Sequence, residues 1–440
     1  MGQFVDVPWG TRELKVSIPD SWRILGVLKP ENVPACTSPE DILREKLMNP
    51  SGVTGLKHRD LSTSKILIVV DDISRPTPVD RFFGIVLEQL LAAGAKKENI
   101  SILLALGVHR PMTREEVEGK VGAKNLEGLV WYNHDAKDLS GLVYLGTTSR
   151  GTEVRLNRKL TEADLILCLG GIEPHVLVGF SGGLKVILPG CASAETIARN
   201  HLQGVSHERF NLVGVRPEDS PMRLDLEEAA LMLKKEIFIV NAVLNHNKEI
   251  CEFFCGDPVQ AHRMGVVLSE RVHGVSITAP ADAVMVGSSP MDTDLRQSMK
   301  CIGNTLFSVK PGGHIVGFLR CEQGVGDVEL PPRSLPHSVL RMLLRIIGPS
   351  RIMGFVDRVK KQAGVEEKFL AHFSLQVCRR NPIHVFSEKL PEGIGKKTGL
   401  FAQYSDPSRM IASVARKVPQ NATVWFFPYG GLIYPILARS

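Results

Sequence analysis

The 440-residue chain has few cysteines and no long apolar run. Its eight cysteines are scattered, far below the density of a disulfide scaffold. Cys251 and Cys255 are spaced for a helical pair, but no second Cys/His pair at zinc spacing joins them, so they read as inert thiols. Apolar runs such as Ile66 to Val70 are strand-sized, too short to cross a membrane. No basic segment followed by an apolar stretch opens the chain, and the expectation is a cytoplasmic protein without a signal peptide. No Lys/Arg block is dense enough for nucleic acid, although the net charge of +6 suits a small anionic ligand. There is no internal repeat and no low-complexity tract.

What is present is a soluble composition, 43% hydrophobic and 23% charged, on a chain too long for one ordinary core. Strand and helix signals alternate. Ile66–Val70 reads as a buried strand ending in Asp71-Asp72, and Pro78–Gly94 as a helix. Ile100–Leu106 reads as a second strand, followed by a capping box at Thr113 and Glu116. Asp164–Leu169 is a further strand ending at Gly170-Gly171. A second series starts near 275: strands at 282–286, 313–318, 383–386 and 423–427, with helices at 295–306, 339–347 and 407–418. The fold expected is two α/β domains with mostly parallel sheets and a cofactor cleft between them. Their bounds are residues 1–270, with the tail 425–440 as a candidate addition, and residues 275–425.

Chemistry-bearing residues follow strand ends, where open α/β sheets bind ligands. The segment from Gly170 to Lys185 is rich in glycine, and the backbone of Ser181-Gly182-Gly183 could offer N–H groups to a phosphate. It contains the pattern of a hydrolase nucleophile elbow, but Pro189-Gly190 leaves no room for the helix that elbow needs. It is not a P-loop either, since Val186 stands where a magnesium-binding hydroxyl belongs. Lys185, among glycines and apolar residues, is a candidate nucleophile if desolvated. His109 and His175 could act as an acid/base pair, and His201 could ligate a metal. His207 sits in a polar stretch that reads as a solvated helix face. In Asp71-Asp72-Ile73-Ser74-Arg75-Pro76-Thr77-Pro78, a carboxylate could bind ribose hydroxyls and Arg75 an anion, or the segment is simply a capped turn.

Together, Asp-Asp-x-Ser-Arg-Pro-x-Pro at 71–78, Gly-x-His-Arg-Pro at 107–111 and the loop from Gly170 to Gly190 resemble the nickel-pincer-nucleotide-dependent lactate racemase family. The resemblance extends through Glu195-Thr196-Ile197, Asn200-His201, Pro290-Met291-Asp292, Gln297 and Lys300. It implies an isomerase that racemises or epimerises a small α-hydroxy acid by proton-coupled hydride transfer through a planar 2-keto acid. By it, Lys185 carries the nucleotide covalently and His201 completes the nickel coordination. His109 and His175 are the paired acid/base groups, and Arg75, Gln297 and Lys300 hold the substrate. Asp72 and the backbone of Ser181, Gly182 and Gly183 touch the cofactor. The cofactor-biosynthesis enzymes become the implied protein partners. One position departs: Arg296 stands where the family has an aromatic residue, which adds a positive charge and favours a dicarboxylic or polyhydroxylated substrate over lactate. Two rivals are a metal-dependent hydrolase or lyase with a three-histidine site at His109, His175 and His201, and a non-catalytic nucleotide-binding module.

Overall fold

The computed structural model describes residues 3–204, 210–326, 335–359 and 365–438. His207 lies outside them. The chain divides into two compact units. The first runs Asn32–Val272; the second combines Met1–Glu31 with most of the chain from His273 onward.

The first unit is built on a six-stranded sheet. Its order is Ile250–Gly256, Glu236–Leu244, Leu165–Gly171, Ile66–Asp71, Ile100–Ala105 and Val130–Asn133. All neighbours are parallel except the first pair. Ile66–Asp71 is buried at every position, as a strand covered on both faces must be. One face packs Ile68, Val70, Ile102, Leu104 and Leu167 against Phe83, Val86 and Leu90 of the helix Phe83–Ala92. Each such side chain taken fully out of water contributes about 2 kcal/mol. Gly94, at φ +88°, ends that helix where a side chain would be strained. The Thr113–Glu116 capping box forms and starts the helix Arg114–Val121.

The strand order reverses direction between Ile66–Asp71 and Leu165–Gly171. From the former the chain steps outward through 100–105 and 130–133; from the latter, through 236–244. Such a switch point splays two successive loops apart at the carboxyl edge and opens a crevice between them. The loops that leave it are 72–78 and 172–190.

The second unit holds another six-stranded sheet, all parallel. Its order is Ala402–Tyr404, Ile383–Phe386, Val309–Phe318, Ala281–Gly287, Thr423–Phe427 and Arg23–Val27. Several sequence expectations change here. Residues 1–31, placed with the N-terminal domain, join the second unit, because Arg23–Val27 adds as its edge strand beside Thr423–Phe427. The tail also stays there: Tyr434–Leu437 pairs with Gly274–Ile277. The single helix expected over 295–306 is interrupted, as Leu295–Ser298 and Lys300–Thr305. Cys251 and Cys255 lie on the strand Ile250–Gly256 rather than on a helix. No helix among the described residues is long and apolar enough to cross a membrane.

Candidate active site

The loop after Ile66–Asp71 divides its two carboxylates between support and chemistry. Asp71 turns inward: its Oδ1 is 2.7 Å from Lys120 Nζ, and Thr77 Oγ1 donates to its Oδ2 at 2.8 Å. Lys120 also donates to the carbonyls of Arg75 and Thr77, at 3.2 and 3.0 Å. A buried lysine with three acceptors thus fixes the loop from within. Asp72 turns the other way. Its Oδ1 accepts from the Ser74 N–H at 3.0 Å and from Ser74 Oγ at 2.5 Å, and its Oδ2 is bonded to His109 Nδ1. Burial alone would raise the Asp72 carboxyl. The hydrogen bond and charge of His109, helped by Ser74 and Arg75, overcome it and hold the group well below the usual carboxylate range. Asp72 therefore orients His109, a role the sequence did not suggest for it. With Nδ1–H donating to a carboxylate, the His109 Nε2 carries the lone pair. Arg75 donates from Nη1 to Glu173 Oε1 at 2.9 Å. That bond ties the loop after the first strand to the loop beyond Leu165–Gly171.

The glycine-rich segment is packed against the protein's own atoms. Pro174-His175 and Gly179-Phe180 pair as a two-residue hairpin. Ser181 staples its ends: its N–H donates to Glu173 O at 2.8 Å, while its hydroxyl donates to Gly171 O at 2.9 Å and accepts from Glu173 N–H at 3.0 Å. The Gly183 N–H donates to Asn241 Oδ1 at 2.6 Å. The expectation of three consecutive N–H groups facing an anion is therefore corrected: those of Ser181 and Gly183 are spent inside the protein, and Gly182 alone keeps that possibility. Gly182 and Gly183 have φ of +78° and +60°. A Cβ on Gly182 would lie 2.7 Å from Ile172, and one on Gly183 2.9 Å from the His262 ring. Internal crowding, beyond any ligand, demands glycine there.

The short helical turn Gly183–Val186 lifts Lys185 to His175, with Nζ 3.3 Å from Nε2. The ring's other nitrogen accepts from the Leu177 N–H at 3.2 Å. A neutral His175 therefore carries its proton on Nε2 and donates it to the lysine, which must present a lone pair. Electrostatics agree. Burial, then the charges of Arg75 and Arg223, push the Lys185 amine far below its ordinary range, against Glu173 and Asp72. A neutral, positioned amine is what a nucleophile requires.

His201 lies on the helix Ala194–Gln203, capped by Ser193, whose side chain accepts from Thr196 N–H. His201 Nδ1 is 2.8 Å from Ile197 O and donates to it, which leaves the lone pair on Nε2. Burial and the neighbouring Lys185 push this imidazole down to about 4, so it is neutral at physiological pH. Among the described residues no three His, Cys, Asp or Glu side chains gather to hold a metal ion. His109, His175 and His201 therefore do not form the three-histidine centre of the hydrolase rival. A single protein imidazole suits a metal whose other ligands come with a cofactor.

The structure thus brings Asp72, Arg75, His109, His175, Lys185 and His201 to one crevice at the switch point. Arg296, Gln297 and Lys300 belong to the other unit. Asp294 caps their segment by accepting from Gln297 N–H at 2.8 Å, and all three side chains are half-buried. Asp292, four residues before Arg296, lies 3.5 Å from Arg320. Lys120, Glu173, Asn241, Arg223 and His262 were missed from sequence. Only Glu173 carried a signal, its place within the loop; the others are single polar residues on otherwise ordinary helices and strands.

The sequence model of the lactate racemase N-terminal domain matches residues 9–212. The lactate racemase of Thermoanaerobacterium thermosaccharolyticum is 32% identical over 326 residues, spanning 73% of this chain and 75% of that protein. The lactate racemase of Lactiplantibacillus plantarum is 30% identical over 361 residues, spanning 78% and 83%. The solved structure of the T. thermosaccharolyticum lactate racemase apoprotein superposes with a TM-score of 0.82 at 26% identity, covering 99% of this chain and 100% of that one. A Thermotoga maritima structure shares the fold, with a TM-score of 0.65 at 21% identity, covering 93% and 100%.

Proposed function

The chain belongs to the lactate racemase family of isomerases, and on that premise we propose that it interconverts the stereoisomers of a small α-hydroxy acid, using a nickel-pincer nucleotide bound covalently at Lys185. The observation that carries this reading is the Lys185 amine, half-buried, pushed far below its ordinary range by desolvation and 3.3 Å from His175 Nε2. The residues fit the group. Lys185 offers a nucleophilic nitrogen for the covalent link, and His201 offers one neutral imidazole nitrogen toward nickel. The uncommitted Gly182 N–H can meet an anionic oxygen of the nucleotide. When bound, this cofactor supplies a reversible hydride acceptor.

The chain's own residues do the rest. Arg75, anchored on one side by Glu173, keeps donors for the substrate carboxylate. His109 Nε2, backed by the Asp72 carboxylate, takes the hydroxyl proton of one stereoisomer, because the negative charge behind the ring stabilises the imidazolium that forms. His175 is the paired acid/base group for the other, and to take a proton there its ring must leave the tautomer that donates Nε2–H to Lys185. Two bases are needed since the two isomers point their hydroxyls in different directions when the carboxylate and α-hydrogen are held fixed. Gln297 and Lys300 are the further residues that the family likeness assigns to the substrate. Arg296 sets the preference among hydroxy acids. The loaded protein depends on the enzymes that make the nucleotide, and it works in the cytoplasm.

The test is a chirality assay of cofactor-loaded protein on lactate, malate and gluconate. Stereochemical scrambling of at least one, without net hydrolysis, is expected. A protein loaded with nickel and nucleotide that leaves every hydroxy acid unchanged and cleaves a substrate instead would overturn the reading.

A further inference from the structure

Lys185 and His201 reach the crevice from different segments, yet both segments are braced by one helix, Pro221–Leu231, which no motif singled out. Ser220 caps it and Pro221 opens it, so its third residue, Arg223, is delivered in a fixed first turn. Arg223 is 0% exposed. Its guanidinium donates to Phe180 O and, at 3.1 Å, to Gly182 O. The carbonyl between them, Ser181 O, accepts from His262 Nε2 at 2.9 Å. Three successive carbonyls of the glycine-rich turn thus converge on buried donors, an arrangement that would otherwise be repulsive. Gly182 O also accepts from the Lys185 backbone N–H at 3.3 Å. One acceptor therefore links Arg223 to the residue that carries the amine.

Two residues further along, Asp225 is also 0% exposed. It accepts from Thr148 Oγ1 at 2.6 Å, Thr152 Oγ1 at 2.8 Å and Asn200 Nδ2 at 2.8 Å. Asn200 adds a second bond to the brace, to Met222 O at 3.1 Å, and immediately precedes His201. Two sides of one helical turn so hold the lysine turn and the histidine helix.

We propose that Arg223 and Asp225 are positioning residues that set the Lys185 amine and the His201 imidazole at the separation one covalent metal cofactor needs. This rests on the reading that Lys185 carries the nucleotide and His201 faces its metal. A guanidinium at Arg223 is required rather than any cation, because its fork bonds two carbonyls at once and an ammonium cannot keep that planar geometry. The charge has a second effect: it helps keep the Lys185 amine unprotonated. Arg223 is itself offset by Glu227, 3.9 Å from its Nε, and Glu227 is held by both arms of Arg263 at 2.7 Å.

The test uses the full chain produced with and without the nucleotide-making enzymes. Without them, the pH profile of Lys185 acetylation by acetic anhydride is read by peptide mass. With them, the fraction of chains carrying the nucleotide mass is read, together with nickel per loaded chain. Arg223→Gln should raise the acetylation midpoint by about one pH unit, since a like charge is gone, and cut loading at least tenfold. Arg223→Lys should restore the midpoint but not the loading. Asp225→Asn should leave the Lys185 profile alone and lower nickel per loaded chain. A folded Arg223→Gln with the parent's profile and loading overturns the proposal, as does an Asp225→Asn that retains nickel like the parent. If Arg223→Gln does not fold, Glu227→Gln decides: the unbalanced Arg223 charge should lower the midpoint, and an unmoved midpoint overturns the proposal. A parent with no nucleotide at Lys185 overturns the cofactor reading instead, and the acetylation profiles still decide the role of Arg223.

Discussion

At His109, Nδ1 donates to a buried carboxylate; at His175, the same nitrogen accepts from the Leu177 N–H. The first imidazole presents a lone pair and has a charge behind it to stabilise a gained proton. The second presents a proton, and spends it on the Lys185 amine. Acylation of that amine would draw its lone pair into an amide and remove the acceptor from this contact. The comparison teaches that two imidazoles proposed as bases for mirror-image substrates need not be mirror images in construction. One is backed by an aspartate, the other faces a lysine.

Single substitutions of the two histidines should break the comparison most sharply. His109→Ala and His175→Ala should each lower racemisation by roughly 10²–10⁴-fold. The loss must be equal in both directions, because enantiomers have equal free energy. The difference appears in the half-reaction: in a quenched single turnover, each variant should form keto acid from one enantiomer only, and from opposite ones. Keto acid from both enantiomers in either variant would remove that histidine from its role.

Metal retention separates these bases from the residue assigned to nickel. His201→Ala should lose nickel at least about tenfold more readily than either variant above, since only a ligating side chain touches the metal. Equal losses in all three, measured by elemental analysis after dialysis, would revive the three-histidine centre.

The aspartate side of the comparison is sharpened by Asp72→Asn. It should cost activity on the order of 10–100-fold and leave the keto acid half-reaction that depends on His175. It also carries a pH signature. The folded Asp72 carboxyl is held below its unfolded value of about 4, so its stabilisation is complete above that pH and is lost as pH falls through the lower, folded value. The melting-temperature gap between the parent and Asp72→Asn should therefore be constant near neutrality and shrink in acid. A gap that widens below pH 4 would contradict the ion pair.

The smallest effect expected is on substrate preference. Arg296→Tyr should shift the ratio of rates on lactate and malate toward lactate by several-fold, because a guanidinium favours the second carboxylate that lactate lacks. An unchanged preference order would show that Arg296 does not choose the substrate.

Much of the site could be read from sequence because its residues follow strands whose apolar runs are unmistakable. Asp71-Asp72, His109 and the Gly170 loop each leave a strand placed to within a residue or two, and the capping box at Thr113 formed as expected. The failures share a physical cause: they depend on contacts distant in sequence. Nothing in Arg23–Val27 says that it pairs with Thr423–Phe427. Nothing in Pro221–Leu231 marks Arg223 as a buried clamp rather than a surface charge. The glycines suggested a cradle for a ligand, but a glycine required by His262 looks the same in sequence as one required by a phosphate. Lys120 and Asn241 are single polar residues whose roles appear only when packing brings acceptors or donors to them.

Intact mass and peptide mapping of the chain produced together with the nucleotide-making enzymes test the central claim most directly. The account predicts a nucleotide mass on Lys185 and on no other lysine, absent from a folded Lys185→Ala. A chain that racemises a hydroxy acid while carrying no adduct, or one whose adduct maps to a different lysine, would contradict it.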